Sequence, residues 1–184
     1  CTPWCFTTLF KEQLKISIKG IIKKIFFMDQ NYINIYNNLI RFSRNKNIFK
    51  IFTNKDSFSD RLIIFLFHFG FFLKTYKNNE NKQKMQKIYD YIFRQLELSI
   101  REIGYGDASI NKKMKNYINT FYSILGKIDN WENLVDEDKS DLLKSFFNIE
   151  EEITDLIKYF DKYRLFLIKS SLNSFTKGVI KPEF

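Results

Sequence analysis

Between Met85 and Gly104 the sequence reads MQKIYDYIFRQLELSIREIG, and its apolar residues recur at intervals of three or four. That spacing places them on one face of an α-helix, because the helix has about 3.6 residues per turn. Gly104 predicts the end of this helix, since glycine readily adopts the left-handed conformation that closes a helix. The predicted buried stripe consists of Met85, Ile88, Tyr89, Ile92, Phe93, Leu96, Ile100 and Ile103.

A second helix is predicted after the short turn Gly104-Tyr105-Gly106-Asp107. Asp107 or Ser109 is expected to cap it, because these side chains accept hydrogen bonds from the free N–H groups of a first turn. The sequence therefore predicts a helical hairpin around a Gly-x-Gly-Asp turn. The apolar stripe of the second helix is Ile110, Met114, Tyr117, Ile118, Phe121, Tyr122 and Leu125.

The most apolar segment, from Leu62 to Leu73, predicts a central core helix. A helix of that length reaches about 18 Å, which is short of the roughly 30 Å hydrocarbon layer of a membrane. Ser57 or Ser59 is expected to cap it, with Asp60 in its first turn.

Shorter helices are predicted at residues 33–42, 48–52 and 142–147, and a final helix is predicted after Asn148 and through residue 168. Ile33, Tyr36, Ile40 and Phe42 are expected to line the first of these. Asn148 is expected to cap the last one, with the glutamates at 150–152 in its first turn. The tail at 178–184 is expected to be extended against the body or loose.

The composition agrees with a single packed domain. The chain has 184 residues, of which 45% are hydrophobic and only two are Pro and six Gly, which excludes disordered and collagen-like classes. Cys1 and Cys5 lie together at the N-terminus, so no disulfide framework holds the domain. Because strand-like alternation is scarce, the chain is predicted to be an all-α, single-domain multi-helix bundle.

Residues 1–27 are predicted to be an N-terminal extension, and residues 28–184 the helical domain. The extension has the pattern of a basic amphipathic helix that lies on a membrane, and it also suits a segment upstream of a start at Met28; both interpretations stay open. Residues 1–128 carry 22 basic and 9 acidic side chains, whereas residues 129–184 carry 8 and 12. The net charge of +9 favours an anionic partner, although an AT-rich genome also produces a Lys-rich chain.

The sequence gives no support for an enzyme, a cofactor or a metal site. His68 is the only histidine, and inside the apolar helix it is expected to be a buried core residue or a partner contact. The turn at 104–107 lacks the further glycine and the Lys-Ser/Thr ending of a nucleotide-binding loop. The glutamates at 150–152 are explained by the helix start that they are expected to occupy.

Three motifs surround the predicted turn: ELSIREIGYGD at residues 97–107, KKMK at 112–115, and Phe121-Tyr122. This set resembles the signature of the ubiquinol-cytochrome c chaperone family. The resemblance extends from about residue 31 to the C-terminus, and the block at 97–107 is its most specific part.

Further upstream, the spacing of Arg61 and His68 is similar to that of an Arg and a His in a helix of the same family. Tyr36, Arg44 and Phe49 resemble the family's opening motif. The resemblance places Arg61 and His68 on a structural or client-facing helix beside the hairpin.

The resemblance implies an assembly chaperone for the ubiquinol-cytochrome c reductase complex (complex III) that binds newly made cytochrome b and has no catalytic role. It also implies the cytoplasmic face of the inner membrane in a bacterium, or the matrix side in a mitochondrion. Contacts with the ribosomal tunnel exit, a small partner protein and an anionic membrane surface are further expectations. The alternative function is a basic RNA- or ribosome-binding helical module.

Two groups of residues are expected to form the site around the turn. Lysines in the first turns of a helix oppose its dipole, so a solvated face and a contact with an acidic or anionic partner are both open for the lysine cluster. The partner contact is assigned to Lys112, Lys113 and Lys115. The shape of the turn is assigned to Arg101, Glu102, Gly104, Gly106 and Asp107, with Glu97, Ser99, Phe121 and Tyr122 completing the motif.

Overall fold

Helices make up the regular secondary structure in the part of the chain that the structure describes. This computed structural model describes residues 30–49, 58–147 and 153–181, so the predicted extension at 1–27 lies outside it. A 3-10 turn at Trp131–Asn133 lies between the fifth and sixth helices. The one compact helical domain confirms the all-α prediction. The helices are α1 (residues 30–43), α2 (Lys46–Phe49), α3 (Phe58–Tyr76), α4 (Lys82–Glu102), α5 (Asp107–Lys127), α6 (Asp136–Phe147), α7 (Thr154–Lys169) and α8 (Leu172–Lys177).

Helix α3 is the centre of the domain, as predicted. All of its residues from Ile64 to Leu73 are buried, and it packs against α5, α6 and α7. The approach of α5 depends on Gly70, because a Cβ atom there would lie only 3.1 Å from Cδ1 of Ile128. Among the described helices, none is long and apolar enough to cross a membrane.

Aromatic rings fill much of the core around α3. The ring of Phe69 stacks on that of Phe121 in α5, with centroids 5.0 Å apart. Phe71 meets Trp131 edge to face at 5.3 Å. Such contacts add to the burial of large apolar surfaces, so the high Phe content of the chain serves this core.

Trp131 fixes the 3-10 turn against α7. Its ring is fully buried, and Nε1 donates a hydrogen bond to Oδ1 of Asp161 at 2.7 Å. Nζ of Lys139 lies 3.1 Å from both carboxylate oxygens of Asp161. One carboxylate therefore joins the turn, α6 and α7.

The C-terminal tail is docked on α1 through the buried side chain of Asn38. Its Nδ2 donates to the carbonyl oxygens of Gly178, at 2.7 Å, and Phe175, at 3.2 Å. Its Oδ1 accepts a hydrogen bond from the N–H of Ile180 at 2.9 Å. The expectation of a tail held against the body is therefore met for residues 178–181. Helix α8, just before the tail, is a helix that the sequence did not predict.

Several predicted caps differ from the structure. Helix α3 begins at Phe58, so Ser59 lies inside it, whereas Asp60 is in the first turn as expected; Ser57 lies outside the described residues. Gly106 occupies the N-cap position of α5, and no side-chain cap bond forms there. Asp107 and Ser109 are therefore not caps, because a capping bond contributes only about 1 kcal/mol and packing of a helix face overrides it.

The predicted buried face of α1 is shifted. In α1 the buried apolar residues are Tyr32, Ile35, Leu39 and Phe42, whereas the predicted Ile33, Tyr36 and Ile40 are half-buried. The stripe is shifted because α1 presents this face to the aromatic core of α3 and α7, a choice that tertiary packing makes. The predicted residues 50–52 lie outside the described ranges.

Helix α7 starts at Thr154, with Asp155 in its first turn. The predicted cap Asn148 and the glutamates at 150–152 lie outside the described ranges. The face that begins with Ile153 is buried as predicted, but Leu165 and Ile168 are more than half exposed, because only one side of the last turns meets the core.

Candidate functional site

The hairpin formed by α4 and α5 turns sharply at two glycines. Helix α4 ends at Glu102, and Gly104 follows with φ of +97°. This value lies in the left-handed region that side chains other than glycine rarely adopt. Gly106 is extended, and α5 begins directly after it at Asp107. The predicted turn is therefore present, and the change in chain direction between α4 and α5 depends on the positive φ of Gly104.

Arg101 ties the two helices together across the turn. Its guanidinium donates to Oε1 of Glu97, from Nε at 3.0 Å and from Nη2 at 2.7 Å. Nη1 also donates to Oδ1 of Asp107, the first residue of α5. The hydrogen bonds to Glu97 and then to Asp107 raise the pKa of Arg101. Because the Asp107 carboxylate accepts from Arg101, it stabilises the turn and does not cap α5. Gly106 occupies the N-cap position of that helix.

Apolar side chains are exposed at the tip of the hairpin. Ile103 is 55% exposed, although the apolar stripe predicted it to be buried. It lies one residue beyond α4, where the turn has already carried the chain away from the core. Tyr105, at 42%, is also exposed in the turn. We call the two residues Ile103 and Tyr105 the tip patch.

The predicted lysine cluster borders the tip patch on α5. Nζ of Lys113 lies over the ring of Tyr105, 4.3 Å from its centroid, in a cation-π contact. Lys112 and Lys115 are exposed and form no ion pair with any residue that the structure describes. The cluster therefore presents positive charge to solvent beside exposed apolar groups.

Two other motif residues at this end of the hairpin have modest contacts. Oγ of Ser99 donates to the carbonyl oxygen of Gln95 at 3.0 Å within α4. Glu102 is exposed at the end of that helix. Ser99 is half-buried, and the core contacts at this end of α4 come from Leu96 and Ile100.

Phe121 and Tyr122 are adjacent in sequence but have different surroundings. Phe121 is buried in the core beside Phe69. Tyr122 is 58% exposed, contrary to its predicted place in the buried stripe, and its ring lies beside that of Tyr89 in α4, with centroids 6.4 Å apart. It is fifteen residues beyond Asp107, which corresponds to about 22 Å along the helix. The structure does not bring Tyr122 to the tip patch.

His68 is fully buried in the middle of α3. Its Nδ1 lies 2.7 Å from the carbonyl oxygen of Ile64, and its Nε2 lies 2.8 Å from the hydroxyl of Tyr159. A carbonyl only accepts, so Nδ1 carries the proton and Nε2 accepts from Tyr159. Burial lowers the pKa of His68 to about 4, so the ring is neutral at pH 7.

These contacts make His68 a core residue, one of the two roles that the sequence analysis left open. A fully buried ring has no surface to offer a partner. Arg61 lies on the same helix but is exposed near its start. Of the two residues that resemble the family motif, His68 therefore lies in the core and Arg61 on the surface.

Replacing Gly104 by Val should destabilise the hairpin turn by about 1–3 kcal/mol, because a branched residue is strained at positive φ. Urea denaturation followed by circular dichroism measures this loss. Gly106→Ala is the matched control, since Gly106 has negative φ and open space around it. Equal losses in the two variants would contradict the role assigned to Gly104.

Comparison with known proteins places this hairpin in a family. Residues 50–181, well over half of the chain, match the family model described as ubiquinol-cytochrome C chaperone. The chain belongs to this family. No curated protein sequence matches it significantly.

The fold of this family member is similar to the crystal structure of the Cbp3 homolog from Brucella abortus. The TM-score is 0.64 and the sequence identity 19%, with 90% of this chain and 96% of that chain covered. The likeness extends the family match to the overall arrangement of helices.

One feature of this chaperone-family hairpin escaped the sequence analysis. Tyr89 and Tyr122 line a cavity of about 140 Å³ together with Leu73 and Met85, at the end of the hairpin remote from the tip. Burial and the hydroxyl of Tyr122 raise the pKa of Tyr89. Both tyrosines lie at the border of their apolar stripes, and this border position is the sequence signal that could have indicated a partly exposed side chain.

Proposed function

We propose that this protein is an assembly chaperone for complex III that binds newly made cytochrome b through the tip of the α4–α5 hairpin. Membership of the ubiquinol-cytochrome c chaperone family supports the process. The single observation that supports the surface is the exposure of Ile103 and Tyr105 beside the lysine cluster.

The tip patch suits a client segment that carries both apolar and acidic side chains. Exposed apolar residues lose contact with water when a partner covers them, which favours association. Lys112 and Lys115 form no ion pair with the residues that the structure describes, so an acidic client does not have to break an ion pair seen there. Arg101 holds the turn in one geometry, which reduces the conformational entropy that binding must remove.

The client chemistry also suggests where the protein acts. Cytochrome b is a membrane protein, so a chaperone for its new form works at the inner membrane, on the cytoplasmic face in a bacterium or the matrix side in a mitochondrion. The basic net charge fits approach to an anionic membrane or to the ribosomal tunnel exit, and a small partner protein belongs to the same proposal. Binding of the protein to naked RNA without any effect on complex III would favour the RNA-binding alternative.

Crosslinking in cells tests the client surface directly. A photoreactive amino acid at position 113 should crosslink to cytochrome b, because Lys113 borders the tip patch. The control places the same amino acid at position 135, since Val135 is exposed at the start of α6. A failure to enrich cytochrome b at position 113 over position 135 would overturn the proposed surface.

Charge reversal tests the contribution of the lysines. Lys112→Glu combined with Lys113→Glu should weaken client association by about tenfold or more at low salt, and the effect should shrink as salt screens the charges. Assembled complex III should fall in cells that carry this variant, while other respiratory complexes stay at their normal level.

Lys84→Glu combined with Lys87→Glu is the matched control for this charge reversal, because both lysines are exposed on α4. It makes the same change in net charge away from the tip. An equal loss in both double variants would indicate a general charge effect and would contradict a specific contact at Lys112 and Lys113.

A further inference from the structure

A groove of about 420 Å³ lies between α1 and the C-terminal tail, apart from the hairpin. One wall is formed by α1 and the residue that follows it, with Asn37 and Arg41 in the helix and Arg44 directly after it, and the other wall by Gly178 and Val179. We propose that this groove binds a phosphate group, carried by a phospholipid headgroup or by a small phosphate ester. This site lies beyond the proposed function, which uses the hairpin tip.

The groove is built by hydrogen bonds that hold its two walls at a fixed separation. The three bonds from Asn38, which is only 2% exposed, dock the tail on α1. Nδ2 of Asn34 adds a bond of 2.7 Å to the carbonyl oxygen of Thr176. A ligand therefore meets a preformed opening and does not have to order the tail.

Three polar side chains of the groove have no internal partner. The guanidinium groups of Arg41 and Arg44 and the amide of Asn37 form no side-chain hydrogen bond or ion pair among the described residues. Among the residues that the structure describes, no acidic side chain lines the groove either. Arg41 lies in the last turn of α1 and Arg44 directly follows the helix, so two like charges lie only three positions apart in the sequence.

The helix dipole explains only part of this arrangement. Cations near the C-terminal end of α1 are favourable, because the last carbonyl groups carry partial negative charge. The dipole effect does not require a groove beside the arginines. It is also compatible with ion pairs between the arginines and neighbouring carboxylates. Two guanidinium groups without a partner among the described residues, at an opening to which those residues contribute no carboxylate, instead match an anion that enters from solution.

Phosphate is the anion that fits these groups best. The planar guanidinium offers paired N–H donors that match two phosphate oxygens, and the amide of Asn37 adds a further donor. Val179, which is 63% exposed, and half-buried Ile40 give the rim an apolar part. An apolar rim beside a phosphate site suits the glycerol and first acyl carbons of a lipid headgroup.

Binding of two soluble probes and of vesicles tests the proposal with the full chain. Inorganic phosphate and sn-glycerol 3-phosphate are titrated by calorimetry, and vesicles of phosphatidylcholine with or without phosphatidylglycerol are used in flotation. Arg41→Gln combined with Arg44→Gln should weaken binding by about tenfold or more, because charge-assisted hydrogen bonds are lost. Val179→Glu, at an exposed position, should do the same by placing a carboxylate at the rim.

The matched control is Lys87→Gln combined with Arg94→Gln, two exposed residues of α4 whose loss changes the net charge equally. If the wild-type and control proteins bind the soluble probes and the groove variants do not, the ligand is a small phosphate ester. Groove-dependent binding of phosphatidylglycerol vesicles alone would identify the headgroup. Equal binding by groove and control variants, or no binding of any phosphate-bearing probe, would overturn the proposal.

Discussion

Lowering the pH from 7 to 4 should reduce the free energy of unfolding by about 3 kcal/mol through His68 alone. Burial lowers the folded-state pKa of His68 to about 4, whereas an unfolded chain has the ordinary value of 6.5. Between these values the unfolded state binds a proton that the folded state does not. The stabilisation is therefore complete above pH 6.5 and is lost as the pH falls toward 4.

Urea denaturation at half-unit pH intervals measures this dependence. His68→Gln is the control, because an amide can donate to Ile64 and accept from Tyr159 but does not titrate. His68 is the only histidine, so most of the slope between pH 6.5 and pH 5 should disappear in this variant. The same slope in both proteins would contradict a buried neutral imidazole.

Replacing Trp131 by Ala should destabilise the domain by about 3–5 kcal/mol, the range for a large aromatic residue removed from a packed core. The indole is fully buried, meets Phe71 edge to face and donates to Asp161. Its removal leaves a cavity and takes one partner from the carboxylate that also binds Lys139. Thermal and urea unfolding measure the loss.

Two further variants separate the packing of Trp131 from its hydrogen bond. Trp131→Phe keeps an aromatic ring but loses the N–H donor, so it should be less destabilising than the alanine variant. Val135→Ala, four residues away and exposed, should change stability by no more than about 0.5 kcal/mol. A loss below about 1 kcal/mol for Trp131→Ala would contradict the central place given to this residue.

The two ends of the hairpin have different physical roles. At the tip, Arg101 and Gly104 fix the geometry while Ile103 and Lys113 remain open to a partner. Further along α5, Phe121 anchors the hairpin to α3 through Phe69. Such a rigid attachment reduces the conformational entropy that the proposed binding at the tip would have to remove.

Local signals predicted the elements near the site well. The apolar stripe of α4 and the glycine turn were correct, because helix periodicity and the left-handed preference of glycine act over a few residues. The prediction of burial was wrong at Ile103, the last position of the α4 stripe, and at Tyr122 in the stripe of α5. Periodicity assigns a face to each residue, but it does not say whether another helix covers that face.

The caps failed for a related reason. Asp107 has the chemistry of a cap, yet its carboxylate is taken by Arg101 from the preceding helix. Several side chains within reach compete for each polar group, and their relative positions come only from the folded chain.

The amino-acid sequence by itself determined that the protein is all-α, that α3 is its central helix and that α4 and α5 meet at a glycine turn. These properties depend on local backbone preferences and on hydrophobic spacing. Only the tertiary structure decided that His68 is a core residue, that Asn38 builds a groove and that the tip patch is exposed. These properties depend on contacts between residues far apart in the chain, such as Asn38 with Gly178, and local patterns carry no information about which distant surfaces meet.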